Sequence, residues 1–318
     1  MIAHWDEADA RSRTMGHLGA TWTNLGRAAG TVDVGLQRIR ITPGLWSTPA
    51  HVHGRQEEIF WVLGGSGLSW QDGETYEVGQ GDCLVHLPTE RAHTLQAGPD
   101  GLDVLAFGMR HWDEAPTLTR TQSVWLGKGW VVLGEDYDHP WTREVDEGPP
   151  DLPAEPSARP LSIVNLEDER VARTERRGAT VARARRSVSA AAGSETTGLQ
   201  HVVVDAGKLN AAPHCHSAEE EIFVVLSGEG TLELTPSPAQ ADRAQELHTL
   251  GPGHVISRPA GTGIAHAFRA GEAELTLLAY GSREPNDLCY YPRSNKVFLR
   301  GLGLIGRLEP LDYWEGED

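Results

Sequence analysis

The chain has 318 residues, 39% of them hydrophobic, and a formal net charge of −17 at pH 7. That length accommodates two units with sizeable cores, and the acidic balance argues against a nucleic-acid or anionic-membrane partner. Three cysteines are too few for a disulfide framework, no run of about 18 apolar residues could span a bilayer, and MIAHWDEADARSRT lacks a signal peptide's apolar core, so a cytoplasmic protein is expected.

Taken in order, the first periodic segment is VGLQRIRI at 34–41. It alternates as a strand does, with Gln37, Ile39 and Ile41 on one face and Arg38 and Arg40 on the other. AHVHGRQEEIFWVLGG at 50–65 follows. Residues i and i+2 of an extended segment share a face, so His51 and His53 project together, and EIFWVL reads as a strand ending in a glycine turn. GDCLVHLPTERAH brings a third histidine, His93, and GLDVLAFG closes the unit.

Residues 139–160 hold six prolines and no apolar periodicity, which predicts an extended linker. The most basic stretch, Arg170 to Arg186, contains seven arginines, but its VARAR segment alternates like a strand with one solvated face rather than a nucleic-acid site.

The pattern then returns. GLQHVVVDAG at 198–207 leads into PHCHSAEEEIFVVLSG at 213–228, and over residues 35–67 against 198–230, 14 of 33 positions are identical. A second block, 93–126 against 266–299, is led by His93 and His266. One fold is used twice. Each copy is a series of short strands with turns between them and no convincing long helix, as in a sandwich or barrel. Three imidazoles and one carboxylate converging in a small barrel suit a borderline divalent ion such as Fe, Mn, Ni, Cu or Zn.

These motifs resemble those of the cupin superfamily, G(X)5HXH(X)3–4E(X)6G and G(X)5PXG(X)2H(X)3N. Gly44, His51, His53, Glu58 and Gly65 correspond in the first half, and Gly207, His214, His216, Glu221 and Gly228 in the second, each first histidine standing one residue later than the motif has it. The spacing to Gly65 and Gly228 selects Glu58 over Glu57 and Glu221 over Glu220. The second motif is looser: Glu90 replaces its turn glycine after Pro88, and PAGTGIAH adds two residues between Pro259 and His266, so the turn geometry departs from the family pattern.

The resemblance implies an all-β protein of two tandem cupin (jelly-roll) β-barrels: an N-terminal cupin domain at 1–140, a linker at 141–160 and a C-terminal cupin domain at 161–318. It implies up to two divalent transition metals per chain, held by His51, His53, Glu58 and His93, and by His214, His216, Glu221 and His266. Glu58 and Glu221 are the candidate catalytic bases. The implied function is a metal-dependent oxidoreductase of the dioxygenase type acting on a small anionic or phenolic substrate. The alternatives are a lyase, decarboxylase or isomerase on a small acid or sugar, and a non-catalytic small-ligand-binding protein. Paired barrels can satisfy each other within one chain, so monomer and homodimer are both expected forms.

Candidate substrate-binding residues are Gln37 and Gln200, at equivalent strand positions, with Phe60, Phe223 and Phe268 as apolar walls. Trp46 is the expected cavity tryptophan of the first half and His86 a spare acid–base group there. Arg258 could meet a carboxylate, although a surface ion pair is its ordinary role. Nine of the ten tryptophans, Trp5 to Trp141, stand at or before the start of the linker, which points to an aromatic-lined cavity in the first half, while Trp61 alternates onto an outer or interface face.

Overall fold

A computed structural model describes residues 1–133, 138–309 and 311–317. Two β units pack face to face. The strands at their centres are the two apolar runs read from the sequence, Glu58–Gln71 and Glu221–Ser227. Both of their faces are buried, for different purposes. Phe60 and Val62 point into the first unit, beside Ile39, Leu84 and Val104. Ile59 and Trp61 point the other way, into a core shared with Ile222, Val224 and Tyr280 of the second unit. Phe223 and Val225 fill the second unit's interior.

In the second unit a seven-stranded sheet faces a three-stranded one, and the first unit is built on one continuous twelve-stranded sheet. The glycine ending each apolar run is fixed by close approach. Gly65 and Gly228 have φ of 77° and 79°, and a Cβ would collide with the carbonyl oxygens of Gly101 and Glu274.

The units exchange strands. Ile2–His4 pairs antiparallel with His254–Arg258 at the edge of the second unit's seven-stranded sheet, and Ile163–Asn165 pairs with Asp82–His86 of the first. Each exchanged strand covers an edge that would otherwise present unpaired backbone groups. A contiguous division at residues 140 and 160 assigns each of them to the unit whose sheet it does not join.

The proline-rich stretch is not extended throughout. Pro140–Asp146 forms a short α-helix, with Pro140 in the first turn, where its missing N–H costs nothing, and the His139 side chain accepting from the Trp141 N–H. Glu144 of this helix pairs with Arg120 at 2.5 Å. Arg293 likewise pairs with Glu233 at 3.0 Å. Arg110 and Arg283 instead reach backbone oxygens, of Thr31 and Ser194. The arginine-rich segment forms an exposed strand, Arg173–Arg177, whose charges are taken up by Glu175 and Asp205. Among the described residues, no helix is long and apolar enough to cross a membrane.

Candidate metal centres

Alternation aims the ligands. Glu58 shares a face with Phe60 and Val62 and so points into the first unit, as Glu221 does in the second. Pairing brings in the histidines: His51 stands opposite His93 across an antiparallel ladder, and His214 forms an isolated bridge with His266. The second-motif turn is held to the same place in both units by a backbone bond, Thr89 N–H to His53 O and Gly261 N–H to His216 O, each 2.9 Å. The left-handed turn residue of the first half is Thr89, with φ of 62°, rather than Glu90. The altered motif spacing is absorbed there, and the histidine still arrives.

In the first unit, donor atoms of His51, His53, Glu58 and His93 lie within 4.8 Å of one another. Glu58 Oε2 is 2.9 Å from His93 Nε2, 3.4 Å from His53 Nε2 and 3.7 Å from His51 Nε2. The Nδ1 atoms are occupied elsewhere. His51 donates to Pro49 O at 3.1 Å, His93 to Arg91 O at 3.3 Å and His53 to Glu114 Oε1 at 3.3 Å. Those bonds fix the tautomer and leave the Nε2 atoms for the centre.

The second unit repeats this arrangement. Glu221 Oε2 is 3.1 Å from His266 Nε2 and 3.3 Å from His216 Nε2, and His214 completes a triad with Glu221 and His266. His214 donates from Nδ1 to Ala212 O at 2.8 Å and His216 to Asp287 Oδ2 at 2.7 Å. The buried Nε2 atoms of His53, His216 and His266 and Oε2 of Glu221 have no hydrogen-bond partner. Orphaned donors of this kind, in a set of imidazoles plus a carboxylate, fit a divalent transition metal.

Electrostatics supports the same reading. Burial alone would raise Glu58 and Glu221, but the surrounding histidines hold both carboxyls well below their usual range. Burial would lower His53 and His216, yet the carboxylates flanking each ring raise them to about 9 and about 10. His93 and His266, without a second carboxylate, are lowered by burial to about 4 and about 3.

Glu114 and Asp287 were not singled out from the sequence. The signal existed, because the offset of 173 residues that relates the second repeated blocks aligns them as paired acids.

The first centre opens into a cavity of about 410 Å³. Gln37 and Phe60 line it, as do Trp22, Trp125, Trp130 and Trp141. No lysine or arginine does so among the described residues. Trp125 and Trp130 form an edge-to-face pair at 5.4 Å across a small hairpin, and Trp22 meets Trp141 at 6.0 Å. Trp46 is not part of this wall. It is 2% exposed and packs with Leu18, Ala50 and Trp70, because bridges to Leu18 and Gln96 turn it inward. His86 stacks on His93 at 3.8 Å, buried and kept neutral chiefly by that burial, so it lies behind a candidate ligand and does not line this cavity.

In the second unit Phe223 packs on His266 and Phe268, and Phe268 is fully buried in the core. Gln200 is half-buried opposite Ala279. Arg258 occupies the register position opposite Glu221 that His86 occupies opposite Glu58. It is no surface ion pair. Its side chain is buried, Nη2 donates to Ile264 O at 2.8 Å, Nε has no partner, and no carboxylate lies within 4.0 Å among the described residues.

Residues 37–104 match the family model described as Cupin domain. The match lies within the first unit. A search of curated proteins found no relative by sequence. Among solved structures, the chain is similar in fold to Bacillus subtilis oxalate decarboxylase, in a study of that enzyme's Mn(II) centres, with TM-score 0.57, 15% identity and coverage of 88% of this chain and 76% of that one. It is also similar to the formate complex of Lactobacillus farciminis oxalate decarboxylase, with TM-score 0.57, 13% identity and coverage of 88% and 85%. The likeness extends over both units of the chain and identifies the fold as two tandem jelly rolls.

Proposed function

We propose that this protein is a metal-dependent lyase of the decarboxylase type acting on a small carboxylic acid, with the second unit as the reactive centre. The observation that carries the reading is Arg258, a buried guanidinium on the same sheet face as Glu221 and without a carboxylate partner. A buried cation left unpaired is costly unless an anion completes it, and a guanidinium binds a carboxylate in bidentate fashion. A divalent ion held by His214, His216, Glu221 and His266 would supply a Lewis acid for developing negative charge. Arg258 would orient the substrate carboxylate, Phe223 would exclude water behind His266, and Glu221 would hold or return a proton through its carboxylate oxygen. The fold similarity to oxalate decarboxylases supports this choice of reaction class. The test is carbon dioxide release from a panel of small mono- and dicarboxylic acids. Arg258→Ala should raise KM at least tenfold while leaving metal content unchanged, and an unaffected KM removes the basis of the proposal.

A second reading, oxidative cleavage of a phenolic substrate, is supported by one separate observation: the tryptophan-lined cavity at the first centre. Oxygen uptake that depends on phenols and is lost in Glu58→Gln would favour it.

A further inference from the structure

The two centres carry the same three histidines and glutamate but differ in the strand lying across from the HxH segment. In the first unit that strand is Thr117–Leu118, with Leu118 opposite His51. Extending its ladder by one residue sets Pro116 opposite His53. In the second unit the corresponding strand is Leu288–Tyr291, with Cys289 opposite His216. Directly opposed residues of an antiparallel pair share a face. A proline without a donor in one unit is therefore replaced by a thiol in the other, and donor atoms of His214, His216 and Cys289 lie within 4.8 Å of one another.

The thiol does not stand alone. The His216 side chain is 8% exposed, and its Nε2 is buried with no hydrogen-bond partner. Tyr291, two residues along the same strand face, stacks on His214 at 5.8 Å. Cys289 itself is 4% exposed, too enclosed to act as a surface thiol. The other two cysteines are elsewhere: Cys83 lies in the core shared by the two units, and Cys215 alternates away from the histidines, with Sγ 4.0 Å from Tyr290 O.

We propose that Cys289 is a protein donor to the metal of the second centre, forming with His214 and His216 a set that selects a thiophilic ion, while the first centre offers only imidazole and carboxylate. Thiolate donors favour ions such as Zn(II), Cd(II) and Cu(I) over Mn(II) or Mg(II). The ion replaces the thiol proton, which leaves to solvent, so a metal–sulfur bond forms and an S–H bond breaks with no change of oxidation state. The inference does not depend on which reaction the protein catalyses.

The test uses the full chain, freed of metal and titrated with Co(II) under reducing conditions. A near-ultraviolet thiolate-to-cobalt charge-transfer band should grow to saturation with one of the two ions bound. Cys289→Ser should abolish the band and weaken the second centre for Cd(II) by about tenfold or more relative to Mn(II). Cys215→Ser and Cys83→Ser should retain it. The visible Co(II) bands of the first centre report whether Cys289→Ser is folded, and Cys289→Ala serves as a second variant if they are lost. A fully loaded protein without the charge-transfer band, or a band that persists in Cys289→Ser, overturns the proposal.

Discussion

Glu57 and Glu58 are consecutive, and their carboxylates work on opposite faces of one strand. Glu58 turns inward to His93, at 2.9 Å. Glu57 turns outward, is 2% exposed, and accepts from the backbone N–H groups of Glu195, Thr196 and Thr197 and the hydroxyls of Ser194 and Thr197 in the other unit. Glu220 returns the arrangement, accepting from the N–H groups of Val32, Asp33 and Val34. The doubled glutamate of each repeat is thus one candidate metal ligand and one clasp between units.

The two roles separate by mutation. Glu57→Ala strands several buried donors and should destabilise the metal-free protein by on the order of 3 kcal/mol, with metal content preserved in whatever remains folded. Glu58→Gln should cost about one bound ion per chain and leave the clasp untouched. Thermal unfolding and elemental mass spectrometry distinguish these outcomes, and an unchanged melting temperature in Glu57→Ala would contradict the clasp.

Asp287 and Glu114 hold the second histidine of each HxH pair, at 2.7 and 3.3 Å. Losing such an outer partner weakens metal affinity by about 10- to 100-fold. Asp287→Asn should therefore weaken only the second centre and Glu114→Gln only the first. Competition with a chelator measures each, and equal effects on both centres would show that the partners act on overall stability instead.

The pH dependence has two parts of opposite sign. Glu114 and Asp287 are held at about 2, against burial, by hydrogen bonds from a histidine and backbone N–H groups. Being depressed, they stabilise the fold above the ordinary carboxylate range near pH 4, and that contribution is lost as pH falls towards 2. His53 and His216, raised to about 9 and about 10 in the metal-free protein, must each lose a proton to bind metal. Apparent metal affinity at the first centre should rise about tenfold per pH unit from pH 7 towards 9, and more steeply at the second, where the Cys289 thiol proton is displaced as well. Chelator titrations at three pH values give the slope, and a flat profile would show that these imidazoles are already neutral.

The first cavity should respond to its tryptophans. Trp125→Ala removes one member of the hairpin pair and should weaken binding of a planar aromatic anion by about tenfold while sparing a small aliphatic acid. Quenching of tryptophan fluorescence by each ligand reports the difference. Equal losses for both ligands would mean that the hairpin shapes the site without contacting substrate.

Much of this was legible in the chain itself. Duplication of the histidine clause is a one-dimensional pattern, and strand alternation is local geometry, so the paired sheets, the inward Glu58 and the outward Trp61 followed without coordinates. What lies beside each ligand did not. Register between strands distant in the chain depends on how whole sheets pack, and it is register that set Cys289 against His216, Arg258 against Glu221 and His86 beside Glu58, where it stacks on His93. The helix at Pro140 and the hairpin that carry Trp141, Trp125 and Trp130 to the first centre, and the inward turn of Trp46, are likewise tertiary outcomes. The sequence by itself determined which atoms could bind a metal and how often they recur. Only the tertiary structure, through long-range pairing, made the two centres chemically unlike.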